Sequence, residues 1–410
     1  MKLSVKELYG EKYESQAALR IRTAVDAFSR QYGSTDGIRV FSAPGRTEVG
    51  GNHTDHNRGK VLAAAIDLDV IAVVRPEKEN IVRVKSLGFP EDVVDLSDLS
   101  VKEEEKNTSA ALIRGVAAGF KEKGFNVCGF TAYTTSAVLK GSGLSSSAAF
   151  EVLIGTVFSG LANEEKADAV EIAKIAQYAE NVYFGKPSGL MDQMASSVGG
   201  FITIDFKDTG KPVVESVPFD ISGYDLCIVD TKADHADLTP DYAAIPTEMK
   251  AVAQALGGRE LRDVSKEDIY RSLSELRRSC GDRAVARAFH FFDENERVTG
   301  QAEALRNGDI QGFFDLVNES GRSSFEYLQN VYTTKDPAHQ AMVIALYAAK
   351  DILGGDGAAR VHGGGFAGTI QAFVPKAKTE EFSRRMEEIF GKGSCIGLNI
   401  RSAGGTEIIL

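Results

Sequence analysis

The glycine- and serine-rich segment KGSGLSSSAAFE, residues 140–151, places the strongest restriction on how this chain can fold. It follows the strand pattern FTAYTTSAV and leads into the helical pattern LSSSAAFEVLIGTVFSGL, which predicts a tight strand-to-helix connection. Glycines let the backbone approach a ligand closely, and the start of the following helix presents unpaired N–H groups with a partial positive charge. The segment therefore predicts a site for phosphate oxygens, with a flexible turn and a serine N-cap as the alternative.

Two widespread phosphate-binding motifs do not describe this segment. The pattern GxxxxGK[ST] is absent from it. Gly141 and Gly143 fit the start of the dinucleotide pattern GxGxxG, but its third glycine position holds Ser146. The segment binds phosphate through a different kind of loop, or it does not bind phosphate.

Two further segments combine glycine with polar residues. The first, APGRTEVGGNHTDHNRGKVLAAAID at 43–67, is compatible with a metal site, a sugar pocket or a structural turn. Metal binding by His53 and His56 is not favoured, because no third histidine or cysteine lies near them in the sequence. The second, VHGGGFAGT at 361–369, lies between two strand-like segments, where a bulge or hairpin turn is the alternative to a functional role.

The order of the remaining patterns predicts an α+β protein of two lobes. Residues 1–35 are predicted to be helical, strands and helices are mixed as far as the strand YDLCIVDTKAD, and residues 241–353 are mostly helical before strands return. We place the N-terminal domain at 1–220 and the C-terminal domain at 221–410.

Charge and cysteine content restrict the partners and the compartment. The net charge of -11 over 410 residues argues against general nucleic-acid binding, because there is no basic field to neutralise phosphates. The four cysteines are scattered without a CxxC pair, which fits a reducing compartment. The N-terminus lacks a signal-peptide pattern and no run of 18 apolar residues occurs, so a cytoplasmic protein without a membrane partner is expected.

The three glycine-rich segments have the order and spacing of the three motifs of the GHMP kinases, and the chain most resembles the galactokinases. The segment at 43–67 resembles the galactokinase signature GR-x-N-L-I-G-E-H-T-D-Y-N, and AENVYFGKPSGLMDQMAS resembles the stretch that leads to the family's catalytic aspartate. The resemblance implies a two-lobed α+β GHMP kinase fold with its active site in the cleft between the lobes. It also implies a monomer that transfers the γ-phosphoryl group of ATP, with Mg²⁺, to the anomeric hydroxyl of a sugar.

The resemblance also implies a role for individual residues. Asp192 matches the aspartate that acts as base or orients the sugar hydroxyl, and Arg46 matches the arginine beside it, which would stabilise transferring charge. Ser147 and Glu180 match the residues that bind Mg²⁺. The triphosphate would be held by Gly141, Ser142, Gly143, Leu144, Ser145, Ser146 and Ser147, with support from the glycines at 363–365. The positions that match sugar contacts are Asn52, His53, Asp55, Gly189 and Tyr242.

Several positions depart from the family pattern. The signature has asparagine where this chain has Glu48, glutamate where it has Asn52, and tyrosine where it has His56. The arginine pair that usually follows the position of Tyr242 is replaced by YAAIPTEM. In galactokinases the glutamate before His-Thr-Asp contacts the C6 side of the sugar, so Asn52 is expected to weaken binding of a C6 hydroxyl and to remove repulsion of a C6 carboxylate.

These departures leave the substrate open. Galactose is the expected substrate, and galacturonate or N-acetylgalactosamine is the alternative. A non-catalytic sensor that binds ATP and sugar is a second alternative, although such relatives lose residues of the GLSSSA loop, which is complete here. Whether Glu48 and Asn52 lie on one face depends on whether this segment is a strand or a turn, and the sequence does not decide between the two.

Overall fold

The computed structural model describes residues 2–11, 13–138, 143–233, 238–366 and 368–410. In chain order its helices are α1 Val5–Tyr9, α2 Glu14–Tyr32, α3 Ser109–Glu122, α4 Ser146–Ala162, α5 Ala169–Tyr178, α6 Met191–Val198, α7 Thr239–Ala255, α8 Lys266–Arg271, α9 Leu273–Ser279, α10 Asp282–Arg306, α11 Ile310–Ser323, α12 Ala341–Leu353 and α13 Thr379–Phe390. Its strands are β1 Lys2–Ser4, β2 Arg39–Gly50, β3 Lys60–Pro76, β4 Ile81–Ser86, β5 Glu91–Asp95, β6 Phe130–Ser136, β7 Phe201–Asp205, β8 Val213–Val217, β9 Tyr224–Asp230, β10 Ala358–His362, β11 Thr369–Pro375, β12 Cys395–Leu398 and β13 Thr406–Ile409.

The chain forms two compact units, and each is discontinuous in sequence. The first comprises Met1–Arg46, Ala64–Gly200 and Ile400–Leu410, and the second comprises Thr47–Ala63 and Phe201–Asn399. This differs from the two continuous segments 1–220 and 221–410 that the sequence predicts. The difference arises because β2 and β3 continue from the first unit into the second, so the segment that joins them is built into the second unit.

Strands in the order β1-β13-β2-β3-β6-β4-β5 form the main sheet of the first unit. At its edge Lys2–Ser4 pairs in parallel with residues 407–409 of β13. The prediction that residues 1–35 are helical is therefore wrong for this first strand, although α1 and α2 follow it. The three residues form a strand because the distant C-terminus supplies backbone partners, which local periodicity does not reveal.

The amphipathic pattern of α2 explains how it packs on this sheet. Its buried residues Ala17, Ile21, Ala24 and Phe28 recur at steps of four, three and four, which places them on one face of the helix. That face covers apolar side chains of the sheet, among them Val40 and Val73. The long run VLAAAIDLDVIAVVRP, predicted to be a strand, is confirmed as part of β3.

A buried carboxylate, Asp69, joins distant parts of the first unit. It has no exposed surface and lies on β3. Its oxygens accept hydrogen bonds from Tyr9, Arg20, Ser42 and Arg401, the last at 3.0 Å. These donors come from α1, α2, β2 and the C-terminal segment, so one carboxylate fastens both ends of the chain to the sheet.

The apolar spacing of ADAVEIAKIAQYAENVYFG predicts one helix, and the structure has α5 followed by the π-helical turn Ala179–Phe184. Such turns occur frequently at functional sites, because the extra residue in the turn re-aims the side chains that follow it. Here the π-helical turn carries Glu180.

The second unit contains an antiparallel sheet in the order β10-β11-β9-β12. Helices α12 and α13 cover it with apolar side chains such as Ala345 and Phe382. A second core forms where α7 and α10 pack together, through residues that include Met249 and Phe291. The described part of the chain contains no helix that is long and apolar enough to cross a membrane.

Candidate functional site

The predicted catalytic pair forms in the first unit. Arg46 Nε donates to Asp192 Oδ1 at 2.7 Å and Arg46 Nη2 donates to Oδ2 at 2.8 Å, a bidentate ion pair. Arg46 comes from β2 and Asp192 from the first turn of α6. Burial alone would raise the pKa of Asp192, but Arg46 and the Ser145 hydroxyl outweigh it and lower that pKa, so Asp192 is a carboxylate at neutral pH.

The glycine- and serine-rich loop touches the same pair. Gly143 accepts a hydrogen bond from Arg46 through its carbonyl, and Leu144, which is buried, accepts one from the Arg46 N–H at 3.1 Å. Ser145 has the left-handed φ of 57°, and its hydroxyl donates to Asp192. Gly141 and Ser142, two of the predicted phosphate-binding residues, lie outside the described residues.

No side chain among the described residues caps the N–H groups in the first turn of α4. Ser145 is the N-cap residue of α4, but its hydroxyl is used by Asp192 rather than by the backbone of the turn that begins at Ser146. The unpaired N–H groups of a helix start attract anions. This arrangement is suited to phosphate oxygens, as the sequence predicts.

The residues predicted to bind Mg²⁺ lie next to each other in the first unit. Ser147 Oγ is 3.4 Å from Glu180 Oε1, and Lys186 Nζ is 3.1 Å from the same oxygen. Gln193, not predicted, donates from Nε2 to Glu180 Oε2 at 2.8 Å and to Glu151 Oε2 at 3.0 Å. One amide therefore holds two buried carboxylates in place.

The donor set fits Mg²⁺. A hydroxyl and a carboxylate are oxygen ligands, which Mg²⁺ prefers, and Mg²⁺ usually takes only one or two carboxylates from the protein and the rest from phosphate and water. No cluster of three or more histidine, cysteine or carboxylate side chains suited to a metal occurs in the described ranges.

The segment between β2 and β3 forms a tight loop in the second unit. Gly51 has φ +90°, and a Cβ there would lie 2.4 Å from the Lys60 carbonyl oxygen, so only glycine fits. His53 also has a positive φ, 59°, which is unusual for a residue with a side chain and often marks functional sites. The loop is thus held in a strained shape around His53.

Asn52 is buried at the centre of a hydrogen-bond network. Its Nδ2 donates to Glu48 Oε1 at 3.0 Å and to the Gly363 carbonyl at 2.9 Å, and its Oδ1 accepts from Asn330 at 2.8 Å and Ser324 at 3.3 Å. These four bonds use the full capacity of an amide, and the residue has no exposed surface. With these partners the Asn52 amide has no hydrogen-bonding capacity left over for the sugar contact that the resemblance implies.

His53 and Tyr242 come together beside the glycine turn at 363–365. His53 Nε2 is 3.0 Å from the Gly364 carbonyl oxygen, and its ring centroid is 5.2 Å from that of Tyr242. Burial and the nearby His56 lower the pKa of His53 to about 3, so its ring is neutral. Its Nδ1 is buried and has no hydrogen-bond partner among the described residues. A group at this point would meet a bare hydrogen-bond acceptor.

The other predicted sugar contacts differ in their surroundings. Asp55 is partly exposed, and its Oδ1 accepts from the His56 N–H at 2.9 Å. Gly189 is exposed in the segment before α6, close in sequence to Asp192.

Sequence reasoning missed the residues that hold the loop backbone. On α10, Glu294 Oε1 accepts from the Gly51 N–H at 3.0 Å, and His290 Nε2 donates to the Asn52 carbonyl at 3.0 Å. Although burial favours the neutral acid, His290 and two arginines lower the pKa of Glu294 to about 2. The available signal was the spacing of His290 and Glu294, which puts both on one helix face.

Family models match two parts of the chain. A galactokinase galactose-binding signature matches residues 26–76, and a GHMP kinase N-terminal domain matches residues 111–200. The first match contains Arg46 and the loop around His53, and the second contains Ser147, Glu180 and Asp192.

Whole-chain comparisons agree with these matches. The galactokinase of Lactobacillus helveticus is 31% identical over 363 residues, 86% of this chain and 89% of that protein. The galactokinase of Actinobacillus pleuropneumoniae is 32% identical over 375 residues, 90% of this chain and 93% of that protein. The Lactococcus lactis galactokinase crystallised with galactose shares the fold with a TM-score of 0.79 at 23% identity, covering 94% of this chain and 99% of that one. A mevalonate kinase structure gives a TM-score of 0.61 at 15% identity, covering 88% of this chain and 99% of that one. The chain therefore has the α+β GHMP kinase fold and belongs to the galactokinase family.

Proposed function

We propose that this protein is a galactokinase that transfers the γ-phosphoryl group of ATP to the anomeric hydroxyl of galactose. The observation that carries the proposal is the bidentate pair of Arg46 and Asp192, with the Ser145 hydroxyl on the same carboxylate. Phosphoryl transfer requires a positioned hydroxyl and stabilisation of spreading negative charge, and this pair supplies a carboxylate and a cation at one place.

Each member of the pair has a distinct role in the proposed reaction. Asp192 accepts the proton of the sugar hydroxyl or orients that hydroxyl for attack, and its lowered pKa keeps it ionised for either task. Arg46 stabilises the developing alkoxide and the transferring phosphoryl group, because its guanidinium stays charged at any working pH. Since Arg46 also holds Asp192 through two bonds, it fixes the direction of the carboxylate.

ATP and Mg²⁺ are assigned to the loop before α4 and to the residues behind it. The uncapped start of α4 accepts phosphate oxygens, together with Gly143 and the serines at 145–147. Ser147 and Glu180 would hold Mg²⁺, which neutralises phosphate charge when it is bound. Gln193 keeps the Glu180 carboxylate in place.

The sugar is assigned to His53, Asp55, Gly189 and Tyr242. The bare Nδ1 of neutral His53 and the carboxylate of Asp55 both accept hydrogen bonds, which suits a ligand rich in hydroxyl groups. We also expect a monomer in the cytoplasm, which sedimentation of the purified protein and localisation of a tagged chain would test.

The proposal is tested by ADP release from Mg²⁺-ATP with galactose, galacturonate, N-acetylgalactosamine, glucose and arabinose, followed by NMR of the product. The expected result is turnover of galactose and a phosphate on C1. Turnover of another sugar alone would contradict the assigned substrate. ATP binding without turnover of any of the five sugars would contradict the kinase assignment and support a sensor.

Glu180→Gln is expected to raise the Mg²⁺ concentration for half-maximal activity by at least about tenfold, because it removes the one charged ligand assigned to the ion. The measurement is ADP release across a Mg²⁺ titration at saturating ATP. Glu171→Gln is the matched control, since Glu171 also pairs with a lysine, Lys123, at 3.0 Å. An unchanged Mg²⁺ requirement in Glu180→Gln would remove Glu180 from the metal site.

Gly364→Ala is expected to raise the KM for the sugar by about tenfold with little change in the KM for ATP. A Cβ at Gly364 would lie 2.6 Å from Cε2 of Tyr242, so the ring must shift from its position beside His53 and the glycine turn. Gly397→Ala is the control, because a Cβ there meets nothing within 4 Å. Equal sugar KM values in the two variants would show that Tyr242 does not contact the sugar.

A further inference from the structure

Two of the departures from the galactokinase signature touch each other. The signature has asparagine at the position of Glu48 and glutamate at the position of Asn52, and this chain has the reverse. Asn52 Nδ2 donates to Glu48 Oε1 at 3.0 Å, so the interchanged amide and carboxylate are joined by one hydrogen bond. The motif has kept one carboxylate and one amide within this contact.

We propose that Glu48 and Asn52 are a reciprocal exchange of the carboxylate and the amide of the signature. In this exchange Glu48 supplies the carboxylate, and Asn52 is a positioning residue that sets the hydrogen-bonding state of His53 instead of binding the sugar itself. The inference rests on the proposed function, because it concerns how that function's sugar contacts are arranged.

Arg360 is the charged partner of Glu48 and partly opposes burial, which raises the pKa of Glu48 above its ordinary value. The Arg360 side chain, on β10, is fully buried, with Nη2 donating to Glu48 Oε1 at 2.9 Å and Nη1 to the Val49 carbonyl at 2.7 Å. A buried guanidinium needs a carboxylate partner, and Glu48 supplies it. Glu48 is in turn only 6% exposed, so its charge is directed into the protein and not towards a ligand.

Hydrogen bonds connect Asn52 with His53 through the carbonyls of the glycine turn and the amide of Asn330. It donates to the Gly363 carbonyl at 2.9 Å and accepts from Asn330 Nδ2, which also donates to the Gly364 carbonyl at 3.2 Å. His53 Nε2 lies 3.0 Å from that same Gly364 oxygen. A carbonyl can only accept, so Nε2 carries the proton and Nδ1 is left as an acceptor.

This arrangement selects for a hydroxyl over a carboxylate. A sugar hydroxyl can donate to the buried Nδ1 of His53, which has no partner in the described part of the chain, whereas a uronate carboxylate offers only acceptors. A hydroxyl is therefore favoured over a carboxylate at the point of the ligand that meets His53 Nδ1.

The test is a cycle of isosteric variants: Asn52→Asp, Glu48→Gln and both together. Asn52→Asp replaces a donor by an oxygen that faces Glu48 and the Gly363 carbonyl, so the sugar KM is expected to rise by about tenfold while the ATP KM stays within about twofold. The double variant restores a donor and an acceptor between the two side chains, but the Arg360 and Gly363 contacts stay altered, so its sugar KM is expected to fall below that of Asn52→Asp without reaching the wild-type value. A double variant with a sugar KM no lower than that of Asn52→Asp would overturn the exchange.

The NMR signals of His53 distinguish a positioning role of Asn52 from a general loss of structure in the variants. In ¹⁵N NMR of histidine-labelled protein at neutral pH, His53 is expected in the Nε2–H form in the wild type, and its signals are expected to shift in Asn52→Asp and to return in the double variant. Signals of the exposed His339 serve as an internal reference. Unchanged His53 signals in Asn52→Asp would overturn the positioning role.

Asn163→Asp is the matched control for a buried amide. Asn163 Nδ2 also donates to two backbone carbonyls, at 2.9 and 3.0 Å, but in the first unit. This variant is expected to lose stability without moving the sugar KM or the His53 signals. If the wild type turns over none of the sugars, the proposed function fails, whereas the NMR arm and the melting temperatures of the cycle still test the exchange.

Discussion

Asp192→Asn is expected to lower kcat for sugar phosphorylation by about 10²–10⁴-fold, the range associated with loss of a positioned proton acceptor. The asparagine keeps the shape of the side chain but cannot take a proton, and its NH₂ group would face an Arg46 nitrogen that now donates at 2.7 or 2.8 Å. The KM for ATP should change little, because Asp192 is assigned to the sugar hydroxyl. The measurement is steady-state ADP release at saturating galactose and Mg²⁺-ATP.

Asp205→Asn is the matched control for this experiment. Asp205 Oδ2 accepts from Arg262 Nη2 at 2.8 Å, so the control also removes the charge of an aspartate paired with arginine, but on β7 of the second unit. Its kcat should stay within about twofold of the wild type. Melting curves establish that both variants are folded at the assay temperature. A folded Asp192→Asn protein with kcat near that of the control would exclude Asp192 from the chemical step.

Asp69→Ala is expected to destabilise the protein by about 3–5 kcal/mol, the largest effect on stability among the substitutions considered. Removal of this fully buried carboxylate leaves Arg401, which is 2% exposed, without its counter-charge and leaves the Ser42 and Tyr9 hydroxyls without their acceptor. Both chain ends should loosen together, because the donors lie at both ends of the first unit. Urea unfolding followed by circular dichroism measures the change.

Asp26→Ala on the exposed side of α2 is the control and should change stability by no more than about 0.5 kcal/mol. The pH dependence gives a second check. Burial alone would raise the pKa of Asp69, but Arg20 and Arg401 outweigh it and lower that pKa. The stabilisation is therefore present above the ordinary aspartate pKa of about 4 and is lost as the pH falls below it. Asp69→Ala should accordingly lose less stability than the wild type on acidification.

The helix that begins at Ser146 and the contact between Arg46 and Asp192 agree with what the sequence predicts. Strand β6 and helix α4 depend on local backbone preferences, which neighbouring residues determine. Arg46 and Asp192 were predicted through the resemblance of their motifs to those of the galactokinases, and their contact agrees with that resemblance. The roles of these residues in catalysis stay predictions until the variants are measured.

Tertiary structure alone decided the features that join distant segments. The first strand, Lys2–Ser4, exists because the C-terminal strand pairs with it, and Asp69 is stabilised by donors that come from four separate elements. The two compact units are discontinuous because β2 and β3 continue from one into the other.

The contact between Glu48 and Asn52 is another feature that only the tertiary structure decided. In the sequence they are two separate departures from a motif, and whether they share a face depends on where β2 ends and the loop begins. The strand ends at Gly50, and the turn at Gly51 brings the amide of Asn52 back to the Glu48 carboxylate. A sequence determines which groups are present and which local shapes they favour, whereas the hydrogen bonds among them depend on backbone packing between segments far apart in the chain.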